Sequence, residues 1–188
     1  MADSRRVNQT LVRLVKGDIT DMEVEAFVYY ARNDLQLGAG YGNAISMRGG
    51  PSVKKELDQI GEIDTCEAVI TAAGEMKAEY IVHAVGPKFQ EEDTESKLKR
   101  TIINALKKAK EKGIREIALP AMGAGFYGVP IQICARIMIE TIKEYLSNAS
   151  GQTGRLTAPQ GAGFEEIIIC LASNRDLRPF QQALEKLN

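Results

Sequence analysis

Glycine recurs at positions 123, 125 and 128 of the segment Ala-Leu-Pro-Ala-Met-Gly-Ala-Gly-Phe-Tyr-Gly-Val-Pro, residues 118–130. Glycine lets the backbone approach a ligand closely and take positive φ. Successive main-chain N–H groups in such a stretch, beside a helix N-terminus, form a socket for anions, and phosphate is the usual occupant. A plain strand-to-helix turn needs one glycine or two, so this segment alone is a weak signal. A second stretch of the same kind follows the apolar run at residues 26–30, with glycines at 38, 40 and 42. Two such loops on neighbouring strand ends could hold a pyrophosphate between them. Neither ends in Gly-Lys-Ser/Thr as a P-loop does. Neither has the Rossmann spacing, with an acidic residue about 20 positions on.

Other chemistries find little footing. Cys66, Cys134 and Cys170 form no close-spaced pair, and an odd count without a framework reads as reduced thiols in a cytoplasmic protein. Cys134 and Cys170 stand in apolar stretches and are expected in the core. The one histidine, His83, lies in the apolar run 80–85, where a structural role is expected rather than that of a hydrolase base. No cluster has the make-up of a zinc site. No metal or cofactor is implied, and no catalytic residue is identified. With net charge −1, 44% hydrophobic and 26% charged residues, the class is soluble and globular, with no bulk attraction to nucleic acid or anionic membrane. No apolar run nears the roughly 18 residues of a membrane span, and the Met-Ala-Asp-Ser-Arg-Arg start lacks the apolar core of a signal peptide. The lysines and arginine of residues 97–112 read as a solvated helix face, since no aromatic residues interleave with them.

The elements that position the glycine loops follow from hydrophobic periodicity. Strands are expected over residues 9–15, 26–30, 68–73, 80–85, 114–119 and 166–171. Helices are expected over 51–61, with Val53, Leu57 and Ile60 inward, and over 93–112, capped by Asp93 or Thr94 and closed by Gly113. A third spans 131–146, with Cys134, Ile137, Met138 and Tyr145 inward and the Thr141 hydroxyl bonding back to the preceding turn. A fourth spans 177–187, with Phe180, Leu184 and Leu187 on one face. Residues 147–163, rich in Gly, Ser, Thr, Gln and Pro, read as a mobile loop at the far end from the glycine loops. With 188 residues and no repeat or boundary, the chain is expected to be a single domain, residues 1–188. Alternating strands and helices predict an α/β fold with a mixed, largely parallel sheet and helices on both faces. Ligands of such sheets bind beyond the carboxyl ends of the strands, where both glycine loops lie.

In this order the pieces resemble the macrodomains, α/β modules that bind ADP-ribose. The resemblance covers about residues 8–187. It rests on Gly17-Asp18-Ile19-Thr20, on the first loop ending Gly42-Asn43-Ala44-Ile45, on the strand running Ile81 to Pro87, and on Pro120-Ala121 leading to Gly125-Phe126-Tyr127-Gly128. It implies a three-layer α/β/α macrodomain-like fold. It implies that Asp18 accepts from the adenine amine with Ile19 beside it, as an ionised carboxylate suits. Gly40, Tyr41 and Gly42 resemble the first phosphate loop, and Gly123, Ala124, Gly125 and Phe126 the second, with Phe126 near the distal ribose and Tyr127 a further ligand-binding candidate. Asn174 either touches a ribose or caps the last helix.

The departures bear on function. Where the family usually ends its second strand in Asn-Ala-Ala-Asn, this chain has Tyr29, Tyr30, Ala31 and Arg32. The second asparagine binds the distal ribose and, in hydrolytic members, positions the reacting group. A guanidinium only donates and stays charged, so Arg32 cannot imitate it. Gly42 and Asn43 stand where hydrolytic members carry an acid. A one-residue slip would bring Asn33 into place, but it would reverse the facing of every side chain on the strand. Leu171-Ala172-Ser173 offers no ring to stack on adenine. Of Tyr29 and Tyr30, one is expected in the core and the other at the ribose end. The favoured function is binding of ADP-ribose or a related nucleotide diphosphate, free or on an ADP-ribosylated protein. Two alternatives stay open. One is an ADP-ribosyl hydrolase or O-acetyl-ADP-ribose deacetylase, for which Asp34, Asn33 and Tyr127 are candidates by proximity only. The other is a degenerate macrodomain holding another ligand such as RNA. No membrane partner is expected.

Overall fold

Seven strands assemble into one sheet around four apolar runs that are buried on both sides. The computed structural model describes residues 3–149 and 163–187. Its elements run β1 (Ser4–Val7), β2 (Thr10–Lys16), a single helical turn at Ile19–Asp21, β3 (Ala26–Ala31), α1 (Tyr41–Gly49), α2 (Pro51–Ile60), β4 (Ala68–Ala72) and β5 (Tyr80–Val85). There follow α3 (Thr94–Lys112), β6 (Glu116–Leu119), a short turn at Gly125–Tyr127, α4 (Ile131–Ala149), β7 (Glu166–Leu171) and α5 (Asn174–Glu185). The strand order is β1-β2-β7-β6-β3-β5-β4. The inner strands pair in parallel, and the edge strands β1 and β4 pair antiparallel.

Side chains alternate across a strand with period two. On β3, Ala26, Val28 and Tyr30 enter the core shared with α3, α4 and α5. Phe27, Tyr29 and Ala31 face the core shared with α1 and α2. Helices therefore cover both faces, in the three layers of an α/β/α fold. Among the described residues no helix is long and apolar enough to cross a membrane.

Several boundaries differ from expectation. Strand β1 was hidden because Ser-Arg-Arg-Val has no apolar alternation. It is an exposed edge strand, where charge is common, held by pairing to β2. Ile60 is 38% exposed and does not complete the α2 stripe. Asp93 makes no side-chain cap to α3 and takes a left-handed φ of 58°, while Thr94 Oγ1 donates to the Glu91 carbonyl at 2.5 Å. Gly113 closes α3 in the left-handed conformation, its N–H on the Ala109 and Lys110 carbonyls. Helix α4 continues to Ala149. Thr141 is fully buried, yet its hydroxyl has no hydrogen-bond partner among the described residues, so it does not bond back to its own helix. Helix α5 begins at Asn174, three residues before the apolar stripe. Of the expected loop 147–163, residues 147–149 belong to α4 and residues 150–162 lie outside the described residues.

His83 is fully buried on β5, its Nε2 2.9 Å from Thr71 Oγ1. Burial pushes its pKa down to about 3. The unfolded chain therefore binds a proton near pH 6.5 that the folded chain refuses until about pH 3. Its share of stability is complete above pH 6.5 and is lost as pH falls through that window, by about 1.4 kcal/mol per unit. Urea denaturation at pH 6.5 and pH 5 should show about 2 kcal/mol of loss that a His83→Gln variant lacks.

Candidate functional site

The site grows from the carboxyl ends of β2, β3, β6 and β7. Strand β3 lies directly beside β6, and the two are parallel. The loops that follow them therefore emerge side by side at one end of the sheet. Their glycines divide into two kinds. A Cβ at Gly42 would lie 2.5 Å from the Tyr29 hydroxyl, and one at Gly123 would lie 3.0 Å from Val129 and 3.5 Å from the Tyr30 hydroxyl. These two are glycine because the β3 tyrosines and their neighbours fill the space. Gly40 and Gly125 are different. They hold φ of 65° and 70°, and a Cβ on either would meet nothing within 4 Å. Positive φ with open space is what an approach of ligand to backbone needs. Gly40 also opens α1, whose first N–H groups have no intrahelical acceptor.

Tyr30 anchors the second loop from below. It is buried, donates to the Pro87 carbonyl at 2.5 Å and packs edge-on to Tyr127 with ring centroids 4.6 Å apart. Tyr29 is half-buried beneath the first loop, edge-on to His83. Ring Phe126 is 93% exposed and stands over the rim beside Tyr127. Ala124 is half-buried.

At the β2 end, Asp18 opens the Ile19–Asp21 turn. Its Oδ1 accepts from the Thr20 amide at 3.0 Å and from the Thr20 hydroxyl at 2.7 Å. Its Oδ2 accepts from Arg48 Nη1 at 2.8 Å. Burial alone would raise this carboxyl. The Thr20 hydrogen bonds and the Arg48 guanidinium outweigh it and hold Asp18 below the usual carboxylate range. Tyr41, the first residue of α1, is half-buried close to Asp18 and Cys170. Ile19 and Ala31 are both buried, Ile19 with its carbonyl accepting from the Met22 amide and Ala31 paired with Val85 of β5. Asn174 is exposed in the first turn of α5 and does not cap it. Ser173 does, its hydroxyl accepting from the Asp176 amide at 3.2 Å.

At the β3 end, Arg32 forks onto Asp34, with Nε to Oδ1 at 3.1 Å and Nη2 to Oδ2 at 2.7 Å. Asp34 Oδ1 also accepts from the Gln36 amide at 3.1 Å. The Gln36 amide first, and then the arginine, hold Asp34 below its ordinary pKa. Asn33 is turned away and exchanges hydrogen bonds with the Ile63 backbone. His83, Cys134 and Cys170 are buried, with both thiols pushed up, to about 12 and about 11. Among the described residues no group of His, Cys, Asp and Glu could hold a metal ion. Arg48 is the residue that sequence reasoning missed. Its contact with Asp18 spans thirty positions, and a basic residue in the last turn of a helix is ordinary.

Two surface grooves, of about 480 and 430 Å³, lie elsewhere. The first runs between α4 and α5, and the second lies beside Glu116, Glu165 and Glu166 at the other end of the sheet. Neither is lined by a glycine-loop residue.

The profile of the family described as Macro domain matches residues 30–138. A macro domain-containing protein of Caldanaerobacter subterraneus is 36% identical over 183 residues, covering 94% of this chain and 97% of that one. The Oceanobacillus iheyensis macrodomain, solved with ADP, superposes with a TM-score of 0.86 at 27% identity over 98% of this chain and 95% of that chain. A mutant of the same macrodomain, solved with ADPR, gives 0.85 at 28% identity over 98% and 97%.

The Tyr29–Gly42 contact has a measurable consequence. Gly42→Ala should cost roughly 1–3 kcal/mol of stability by overpacking. The same change in a Tyr29→Phe background should cost less than half as much, as a double-mutant cycle by urea denaturation would show.

Proposed function

Because the chain belongs to the macrodomain family, we propose that it binds ADP-ribose or a related nucleoside diphosphate across the carboxyl ends of β2, β3, β6 and β7. The observation that carries this reading is the pair Gly40 and Gly125, both at positive φ in open space, on loops leaving neighbouring parallel strands. Main-chain N–H groups there, with the start of α1, take the diphosphate. Asp18, an ionised acceptor, takes the amine of the base. The exposed ring of Phe126 closes over the sugar at the other end. The same cleft admits ADP-ribose attached to a protein, since its rim is open.

Binding is favoured over hydrolysis. An acid/base group needs a proton site free to change. Asp34 is engaged by both Arg32 and the Gln36 amide, and Asn33 by Ile63. Tyr127 is pushed above the ordinary phenol range, chiefly by burial.

Calorimetric titration tests the reading. ADP-ribose should bind, and Asp18→Ala should weaken it about tenfold or more, the scale of one charge-assisted hydrogen bond. Absence of heat at millimolar ligand would reject the proposal. Arg32→Asn should strengthen ADP-ribose severalfold while leaving ADP unchanged. An amide can accept from the distal ribose hydroxyls, a guanidinium cannot, and ADP lacks that sugar. Weaker ADP-ribose binding in this variant would show that the arginine itself contacts the ligand.

A further inference from the structure

Asp18 is held in a closed ring of hydrogen bonds. Arg48 Nη1 donates to Asp18 Oδ2 at 2.8 Å and to Thr20 Oγ1 at 2.5 Å. The threonine hydroxyl, having accepted from Arg48, passes its own hydrogen to Asp18 Oδ1 at 2.7 Å. The Thr20 amide completes the set on the same oxygen. Every hydrogen has one direction, so the carboxylate plane is fixed from two sides. Thr20 is 2% exposed, while the Asp18 and Arg48 side chains are 45% and 44% exposed. The ring is therefore rooted in the core and open toward the cleft.

An exposed ion pair by itself adds little to stability. Here the pair ties the last turn of α1 to the turn after β2, and it fixes one acceptor atom. Oδ1 already receives two hydrogens. Oδ2 receives one and keeps a lone pair for a ligand. We propose that Arg48 is a positioning residue for base recognition: it holds the Asp18 carboxylate in one orientation, so that the site selects a base bearing an exocyclic amine over one bearing an oxygen at that place. This rests on the nucleotide reading given above. Adenine offers amine hydrogens at its 6-position, and hypoxanthine offers a carbonyl oxygen. A fixed polar group made to receive a hydrogen bond rejects the analogue that lacks the donor. A carboxyl that has taken up a proton can donate to that oxygen, and a carboxylate free to rotate holds the amine less well, so either change narrows the discrimination.

The other groups facing Asp18 do not perform this task. Tyr41 on α1 and Cys170 on β7 are both raised, chiefly by burial, and are neutral at pH 7. Among the groups acting on the Asp18 carboxyl, the cation is Arg48.

The test compares ADP with inosine diphosphate by calorimetry, on the wild type, Arg48→Met and Arg48→Lys, each first checked for folding by thermal melting. The wild type should prefer ADP by tenfold or more. Arg48→Met should lower the ratio severalfold, and should shift upward the pH at which ADP affinity falls off. Arg48→Lys should restore part of both effects, and it carries the comparison if the methionine variant is unfolded. Carbon NMR of the Asp18 carboxyl in the free protein should show its titration moving upward in Arg48→Met. An ADP preference that neither variant changes overturns the role of Arg48 alone. A wild type that binds neither nucleotide overturns the nucleotide reading, and this inference with it.

Discussion

Strand β3 is buried on both faces, and its register fixes everything at the site. Phe27 and Ala31 are buried on one side and Ala26, Val28 and Tyr30 on the other. Backbone pairing runs to β5 along its whole length, from Ala26 on Tyr80 to Ala31 on Val85. To slide this strand by one residue would exchange the two cores. It would also pull the Tyr30 hydroxyl from the Pro87 carbonyl and the Tyr29 hydroxyl from beneath Gly42. The residue that reaches the cleft after Ala31 is therefore Arg32. Asn33 is directed to the Ile63 backbone instead. The packing of the two tyrosines thus holds the register that sets Arg32, and not Asn33, directly after the strand.

What the sequence discloses depends on whether a residue's reason is local. Strands β5 and β7 are continuous apolar runs, and their limits are legible to the residue. The α3 stripe of Leu98, Ile102, Ala105, Leu106 and Ala109 is fully buried, as its spacing requires. Strand β1 was illegible because only its partner makes it a strand. At the N-terminus of α5, Ser173 and Asn174 are both good caps, and composition cannot choose between neighbours. The glycines show the same limit more sharply. All six in the two loops look alike in sequence, yet Gly42 and Gly123 are explained by tyrosines and a valine that lean on them. Only contact geometry separates these from Gly40 and Gly125, which stand in open space. Arg48 is the counterpart among charges, since its meaning lies thirty residues away.

The turn after β3 is built to be stiff. Leu35 takes a φ of 52° although it is a bulky residue, and it does so with its side chain in the core. Such a conformation is held only where neighbours over-determine it. The neighbours are the Leu35 amide on the Arg32 carbonyl, the Asp34 carboxylate on the Gln36 amide, and the two bonds between Asn33 and Ile63. Arg32 is thus not a loose surface arginine. Its stem is set by the strand end and its guanidinium by Asp34, so whatever approaches from the second loop meets a fixed group.

The electrostatics of the cleft then follow from two pairings. A diphosphate brings at least two negative charges, and neither glycine loop carries a lysine or arginine beyond Arg32. On the proposed reading, backbone N–H groups would supply most of the stabilisation, which requires that no bare carboxylate oppose them. Two carboxylates stand at the rim, Asp18 and Asp34, and each is matched by an arginine at hydrogen-bond distance. The matching leaves their acceptor atoms in place while cancelling most of their field beyond a few ångströms. An anion can then sit between two acids without being repelled by them. That arrangement also accounts for the two ends of the cleft differing in kind. The Asp18 end is an oriented acceptor suited to a donor-bearing base. The Arg32 end sets a guanidinium, which only donates, against the Asp34 carboxylate that accepts from it.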